Sequence, residues 1–141
     1  MSTKKLHLVI TTPLRTVYDS EVDQLTVTTS AGELTILPDH VPIVTTLEVG
    51  QAMVKKDGHE IYHAIDGGIL EVRHNNELVI LSDRSENASD IDITRAEEAL
   101  DRARKFIEEE REHEDVDYAR VERDIAKELN RVKLAKKGER K

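Results

Sequence analysis

Apolar and polar positions along this chain follow two different rhythms, and the change falls between Ser85 and Asp90. Upstream, Leu6, Leu8 and Ile10 alternate with His7, Val9 and Thr11, which predicts a strand that stops before Pro13. Val17, then Val22, Leu25 and Val27, continue the alternation in short segments. Ala31-Gly32 predicts a tight turn into Glu33–Leu37, and Pro38 and Pro42 predict a fixed, irregular loop between them. Thr45–Val49 reads as an extended run broken by Gly50. Asp57-Gly58 between Ala52–Lys56 and Glu60–Ile65 is a strong hairpin signal. Asp66-Gly67-Gly68 reads as a further turn into Ile69–His74, and Asn75-Asn76 as another into Leu78–Leu81. About ten short antiparallel strands follow from this pattern, and two small sheets packed face to face would bury their alternating faces.

Downstream the period becomes helical, with no glycine or proline until Gly138. Ala96, Ala99, Leu100, Ala103, Phe106 and Ile107 form one stripe, and Tyr118, Val121, Ile125, Leu129 and Val132 a second. Asp92 is placed to cap the first helix, with Thr94–Glu97 as an alternative capping box. The polar stretch Arg111–Asp115 predicts the loop of a helical hairpin, and Asp115 or Asp117 would cap the second helix. Because that stretch lacks glycine and proline, one continuous helix is also compatible with it. The expected organisation is a β-sandwich over residues 1–85, a hinge over 86–91 and a two-helix domain over 92–141. Neither helix has a thick apolar face, and an isolated polar helix gains little stability. Two states are therefore open to the arm: a hairpin folded onto the sandwich, or an extended arm laid against another surface.

Composition narrows the chemistry. Aromatic residues make up 3% of the 141 residues, so the core must rest on Leu, Ile and Val. Cysteine is absent, which excludes disulfides and thiolate metal sites and suits a reducing compartment. Neither a signal peptide nor a membrane-spanning stretch is expected. The net charge of −8 is uneven: residues 1–91 carry 7 Lys and Arg against 14 Asp and Glu, whereas residues 92–141 carry 14 against 15. An acidic body argues against nucleic acid as a partner. The basic end from Arg131 to Lys141 suits either an acidic protein surface or a solvated helix terminus.

Candidate catalytic groups are weak. His59 and His63 share a strand face around Glu60 but lack a third ligand, so partly exposed strand residues are the simpler expectation and no metal site is assigned. Asp39-His40 and Ser82 do not form a nucleophile–base set, and Gly67-Gly68 precedes no helix that would cradle a phosphate. Arg95 and Arg102 share one helical face, and Lys127 and Arg131 another. A folded hairpin would bring these cations together and so favour an anion such as a nucleotide phosphate, unless Glu97, Glu98, Asp101 and Asp124 neutralise them as surface pairs.

Three blocks carry a family resemblance: Gly32-Glu33-Leu34-Thr35-Ile36-Leu37-Pro38-Asp39-His40-Val41-Pro42 followed by Gly50; Gly67-Gly68-Ile69-Leu70-Glu71-Val72; and Asp92-Ile93-Thr94-Arg95-Ala96. In order and spacing, over nearly the whole chain, they resemble the epsilon-subunit family of bacterial F-type ATP synthases. The resemblance implies a non-catalytic central-stalk subunit with a ten-stranded sandwich and a C-terminal two-helix domain. It implies the gamma subunit and the c-subunit ring as partners, with Glu33 and His40 meeting the ring. The place implied is peripheral, on the cytoplasmic face of the bacterial plasma membrane, without lipid insertion. The helical domain is implied to inhibit ATP hydrolysis when it extends into the alpha/beta hexamer, with beta-subunit contacts drawn from Lys127, Arg131, Lys133, Lys136 and Lys137. Some members bind ATP in the folded state as a regulatory ligand, with no other cofactor. The matching residues here are Glu86, Ile91, Asp92, Arg95, Ala96, Arg102 and Arg131, with Lys127 standing where such members carry arginine. Lysine offers a point charge in place of a planar fork. The competing expectation is a β-sandwich binding module whose helical tail serves an unrelated interaction.

Overall fold

The structure, a computed structural model, describes residues 4–109 and 117–139. It divides into two compact units, residues 1–87 and 88–141.

The first unit contains eight strands: β1 (Leu6–Thr11), β2 (Thr16–Val22), β3 (Gln24–Thr29), β4 (Gly32–Ile36), β5 (Ile43–Lys56), β6 (His59–Val72), β7 (Glu77–Leu81) and β8 (Ser85–Asn87). Their hydrogen-bonded order is β2-β1-β7-β6-β5-β3-β4, with β8 added beside β6. The path stays continuous because β5 and β6, each 14 residues long, belong to both layers of the sandwich. The first half of β5 pairs with the second half of β6, which continues through β7 to β1. The second half of β5 pairs with β3 on one side and the first half of β6 on the other, and that half of β6 carries β8. One core fills the space between: Leu6, Leu8, Ile10, Leu25, Ile36, Leu47, Val54, Ile65, Leu70, Leu78 and Ile80 are each at most 4% exposed. Alternation put these side chains on one face in β1 and β7, while in β5 and β6 the buried parity changes along the strand; burying each contributes roughly 1.5–3 kcal/mol.

Three expectations change here. Among the described residues the strands number eight, and two of them are long. β1 and β7 run parallel, an arrangement the antiparallel reading did not contain. The glycines do not end strands. Gly50 sits inside β5 where a Cβ would come 2.6 Å from Thr28 Oγ1, so it allows β3 to cross closely at the bulge between Val27 and Thr29. Gly67 and Gly68 sit inside β6 with φ of +89° and +136°. A Cβ on Gly68 would lie 2.0 Å from the Leu81 carbonyl oxygen. That close approach falls where β6 passes from β8 to β7, and the Ser82 hydroxyl sits between the carbonyls of Gly67 (2.6 Å) and Arg84 (2.8 Å), with one proton to share between them. Asp57-Gly58, at φ of 50° and 80°, makes the predicted tight hairpin turn.

The second unit begins with a 3-10 turn at Ala88–Asp90 and holds two helices, α1 (Ile93–Glu109) and α2 (Tyr118–Glu139). They pack against each other as a hairpin, which settles the choice against one continuous helix. The stretch Arg111–Asp115 lies outside the described residues. Asp92 caps α1 as predicted, accepting the Arg95 N–H at 3.1 Å, and Asp117 caps α2 through the Arg120 N–H at 3.1 Å. The apolar seam is thin: Ile91, Ala96, Leu100, Val132, Leu134 and Ala135 are buried. Leu134 and Ala135 lie outside the predicted stripe, while Phe106 and Leu129 are 45% and 43% exposed. Of the residues read as hinge, 86 and 87 belong to β8.

Candidate functional site

Within the helical unit, the Asp92-x-x-Arg95-Ala96 segment is a helix start. Asp92 supplies the cap, the Ala96 N–H donates to the Asp92 carbonyl at 3.0 Å, and the Ala96 side chain is fully buried. Ile91 is buried, and its N–H reaches the Ala88 carbonyl at 3.3 Å. Arg95 projects, 83% exposed, with its Nε 3.9 Å from Asp92 Oδ2. Helix mechanics thus account for Asp92 and Ala96, and leave Arg95 as the group available to a ligand.

A cross-helix ion pair, Lys136 Nζ to Glu97 Oε1 at 3.2 Å, marks the antiparallel register of the hairpin. With 1.5 Å of rise per residue, Arg102 and Arg131 then lie at the same height, roughly 7.5 Å from that bridge. Lys127 falls about 6 Å further along and Arg95 about 10 Å back. The four cations therefore form a strip along the hairpin and not a tight cluster. Arg102 is exposed and Lys127 half-buried. Arg131 is already engaged: its Nη1 donates to Glu128 Oε2 at 2.8 Å, with the two side chains only 14% and 16% exposed. Glu86 belongs to β8 of the other unit and accepts from Arg84 Nε (3.0 Å) and Nη2 (2.8 Å). Of the basic residues assigned to a protein contact, Lys133 and Lys137 are exposed and Lys136 makes the bridge to Glu97. Along α1, Thr94, Glu97, Glu98, Leu100, Asp101 and Arg104 line a cleft of about 440 Å³. Its carboxylates make it unsuited to an anion, and it does not include the four predicted cations.

The sandwich presents a second candidate surface. Glu33 lies exposed on β4, opposite Thr28. His40 follows in the Pro38–Pro42 loop, its N–H on the Leu37 carbonyl at 3.2 Å and its Nδ1 2.6 Å from the Val41 carbonyl. Asp39 holds this loop in shape at φ 67°, its N–H donating to Asn76 Oδ1 at 2.6 Å and its carboxylate taking a bond from Lys4 Nζ at 2.8 Å. That lysine holds the Asp39 carboxyl below its ordinary value. Leu37, Val41 and Val44 stand exposed around the loop, at 52%, 68% and 71%. Sequence reasoning assigned them no role. Leu37 and Val41 flank prolines, where strand alternation no longer says which way a side chain points.

Two histidine environments differ from expectation. His63 is 2% exposed and packs edge-on against Tyr18, ring centroids 5.0 Å apart, so it is a core residue. His59 is exposed beside the Asp57-Gly58 turn, beyond the core edge, so the pair shares no site. Among the described residues no His, Asp and Glu cluster could hold a metal ion. His7 bridges three strands, with Nε2 2.6 Å from Asp19 Oδ1 on β2 and Nδ1 2.9 Å from Glu77 Oε2 on β7. Asp19 foremost, then Glu77, raises its pKa above the ordinary 6.5.

Comparison with known proteins places these two units side by side in one family. The beta-sandwich domain of the ATP synthase delta/epsilon chain matches residues 5–88, and the long alpha-helix domain of the same chain matches residues 89–136. The ATP synthase epsilon chain of Levilactobacillus brevis is 40% identical over 132 residues, covering 93% of this chain and 94% of the relative. That of Halalkalibacterium halodurans is 38% identical over 130 residues, covering 92% and 96%. A chain of the Euglena gracilis mitochondrial ATP synthase structure (OSCP/F1/c-ring, rotational state 1) shares the fold with a TM-score of 0.72 at 22% identity, over 94% of this chain and 81% of that one. A chain of the Tetrahymena thermophila mitochondrial ATP synthase central stalk and c-ring structure aligns with a TM-score of 0.56 at 16% identity, over 98% of each. With both of its domains matched in order, and relatives above one-third identity along nearly its full length, the chain belongs to the ATP synthase epsilon family.

Proposed function

We propose that this non-catalytic central-stalk chain couples the catalytic head to the c-ring rotor through gamma, and that its helical arm is a two-state brake on ATP hydrolysis. The observation that carries the regulatory part is the thin seam of the hairpin. Among the described residues, only Ile91, Leu100, Val132 and Leu134 of its larger apolar side chains are buried. Burial of four such side chains contributes roughly 6–12 kcal/mol gross, which the conformational entropy of ordering the arm opposes, so the net hold of the seam is a few kcal/mol, a gap that another surface or a ligand can reverse. In the extended state the arm lies along gamma against the alpha/beta hexamer, with Lys127, Arg131, Lys133, Lys136 and Lys137 facing an acidic segment of beta. Glu33, His40 and the exposed apolar residues of the Leu37–Val44 loop meet the polar loops of the c-ring. The chain then sits peripherally at the cytoplasmic face of the bacterial membrane, and no helix among the described residues is long and apolar enough to cross it.

ATP is the ligand that favours the folded arm in this reading, held by Arg95, Arg102, Lys127 and Arg131 on the hairpin. At a hundredfold excess over Kd such binding stabilises the folded state by about 2.7 kcal/mol, comparable with the seam. Calorimetric titration of ATP into the full chain tests the sensor; absence of heat at millimolar ATP removes it. Hydrolysis by the assembled enzyme with and without residues 88–141 tests the brake, and an unchanged rate removes that.

A further inference from the structure

Among the described ion pairs, Glu128 with Arg131 is the most enclosed: its partners are 14% and 16% exposed, whereas every other pair has a partner above one-third. We infer that Glu128 acts as an internal competitor for the nucleotide phosphate, holding the Arg131 guanidinium and thereby raising the ATP concentration at which the arm responds. The inference rests on the nucleotide reading above and concerns the tuning of that site. A carboxylate and a phosphate oxygen make the same charge-assisted bond to a guanidinium N–H, so the two compete for Arg131. Glu128 and Arg131 are three residues apart on α2, so the competitor travels with the arginine whether the arm is folded or extended. It lowers affinity without choosing between the two arm states. The fraction of Arg131 that is free of Glu128 scales the apparent affinity. The opposed arginine at the same height, Arg102, is exposed.

The test is calorimetric titration of ATP into the full chain and into Glu128→Gln, Glu122→Gln and the double variant Glu128→Gln with Arg131→Gln. Glu122 is exposed on the same helix and makes the same charge change away from Arg131. Circular dichroism checks that helix content is kept. Glu128→Gln is expected to bind ATP about fivefold more tightly than the unaltered chain, Glu122→Gln within about twofold of it, and the double variant to lose the gain. Equal affinity of Glu128→Gln and the unaltered chain overturns the competitor while leaving the sensor standing. An equal gain in Glu122→Gln overturns it too, by showing a bulk charge effect. No binding by any of the four at millimolar ATP sinks the nucleotide reading, and the competitor with it.

Discussion

Leu134→Ala tests the claim that a few apolar side chains hold the arm down. Leu134 is 1% exposed, and its truncation removes one of the four larger buried side chains of the helical unit. A buried Leu→Ala change costs about 2–5 kcal/mol, the loss of transfer energy plus the cavity left behind. Taking about 3 kcal/mol, and a factor of ten per 1.4 kcal/mol, the opening equilibrium of α2 rises about a hundredfold. Amide hydrogen exchange on the full chain reads this directly, because protection reports the free energy of local opening. Peptides covering α2 should lose about two decades of protection, while peptides from β1 and β5 keep theirs. Leu129→Ala is the matched control: at 43% exposure it should change protection by no more than about threefold. Equal losses in the two variants would refute the assignment of the seam. In the assembled enzyme, Leu134→Ala should also deepen inhibition of hydrolysis, since weakening the folded state alone populates the extended one.

Gly68→Ala should destabilise the sandwich by about 3 kcal/mol in urea unfolding followed by circular dichroism, because φ is +136° and the new Cβ meets the Leu81 carbonyl. Gly58→Ala, at φ +80° with nothing within 4 Å, should cost about 1 kcal/mol, and equal costs would discount the clash. His7→Gln should flatten the pH dependence of stability. Because the folded pKa of His7 is raised, the contribution of its bridges is full below the ordinary 6.5 and is lost as pH rises through the raised value. The unaltered chain should exceed the variant by up to about 1 kcal/mol near pH 6 and converge on it near pH 8.5, in thermal melts at each pH. Asp92→Ala should remove the α1 cap at a cost of about 1 kcal/mol, visible as faster exchange of the Arg95 amide.

Local chemistry settled much of this protein in advance. Alternation placed the core side chains of β1 and β7 on one face, because a pleated strand has a side-chain period of two; in β5 and β6 the buried positions change parity between Leu47 and Val54 and between Ile65 and Leu70, which alternation alone did not predict. Asp92, and a choice of Asp115 or Asp117, marked the helix starts, since a cap needs only an acceptor one turn from unpaired N–H groups; the structure selected Asp117. Other features depend on contacts between residues far apart in the chain. Gly50 and Gly68 read as breaks because a glycine looks the same whether it ends a strand or admits a neighbour; only Thr28 and Leu81 reveal which. The parallel pairing of β1 with β7 joins residues about 70 apart, a distance no local rule spans. Spacing put Arg95 and Arg102 on one face of α1, but the Glu97–Lys136 bridge marks their height against α2, and the enclosure of Arg131 with Glu128 came only with packing. Periodicity fixes which way a side chain points; burial and partners are set by what the fold brings opposite it.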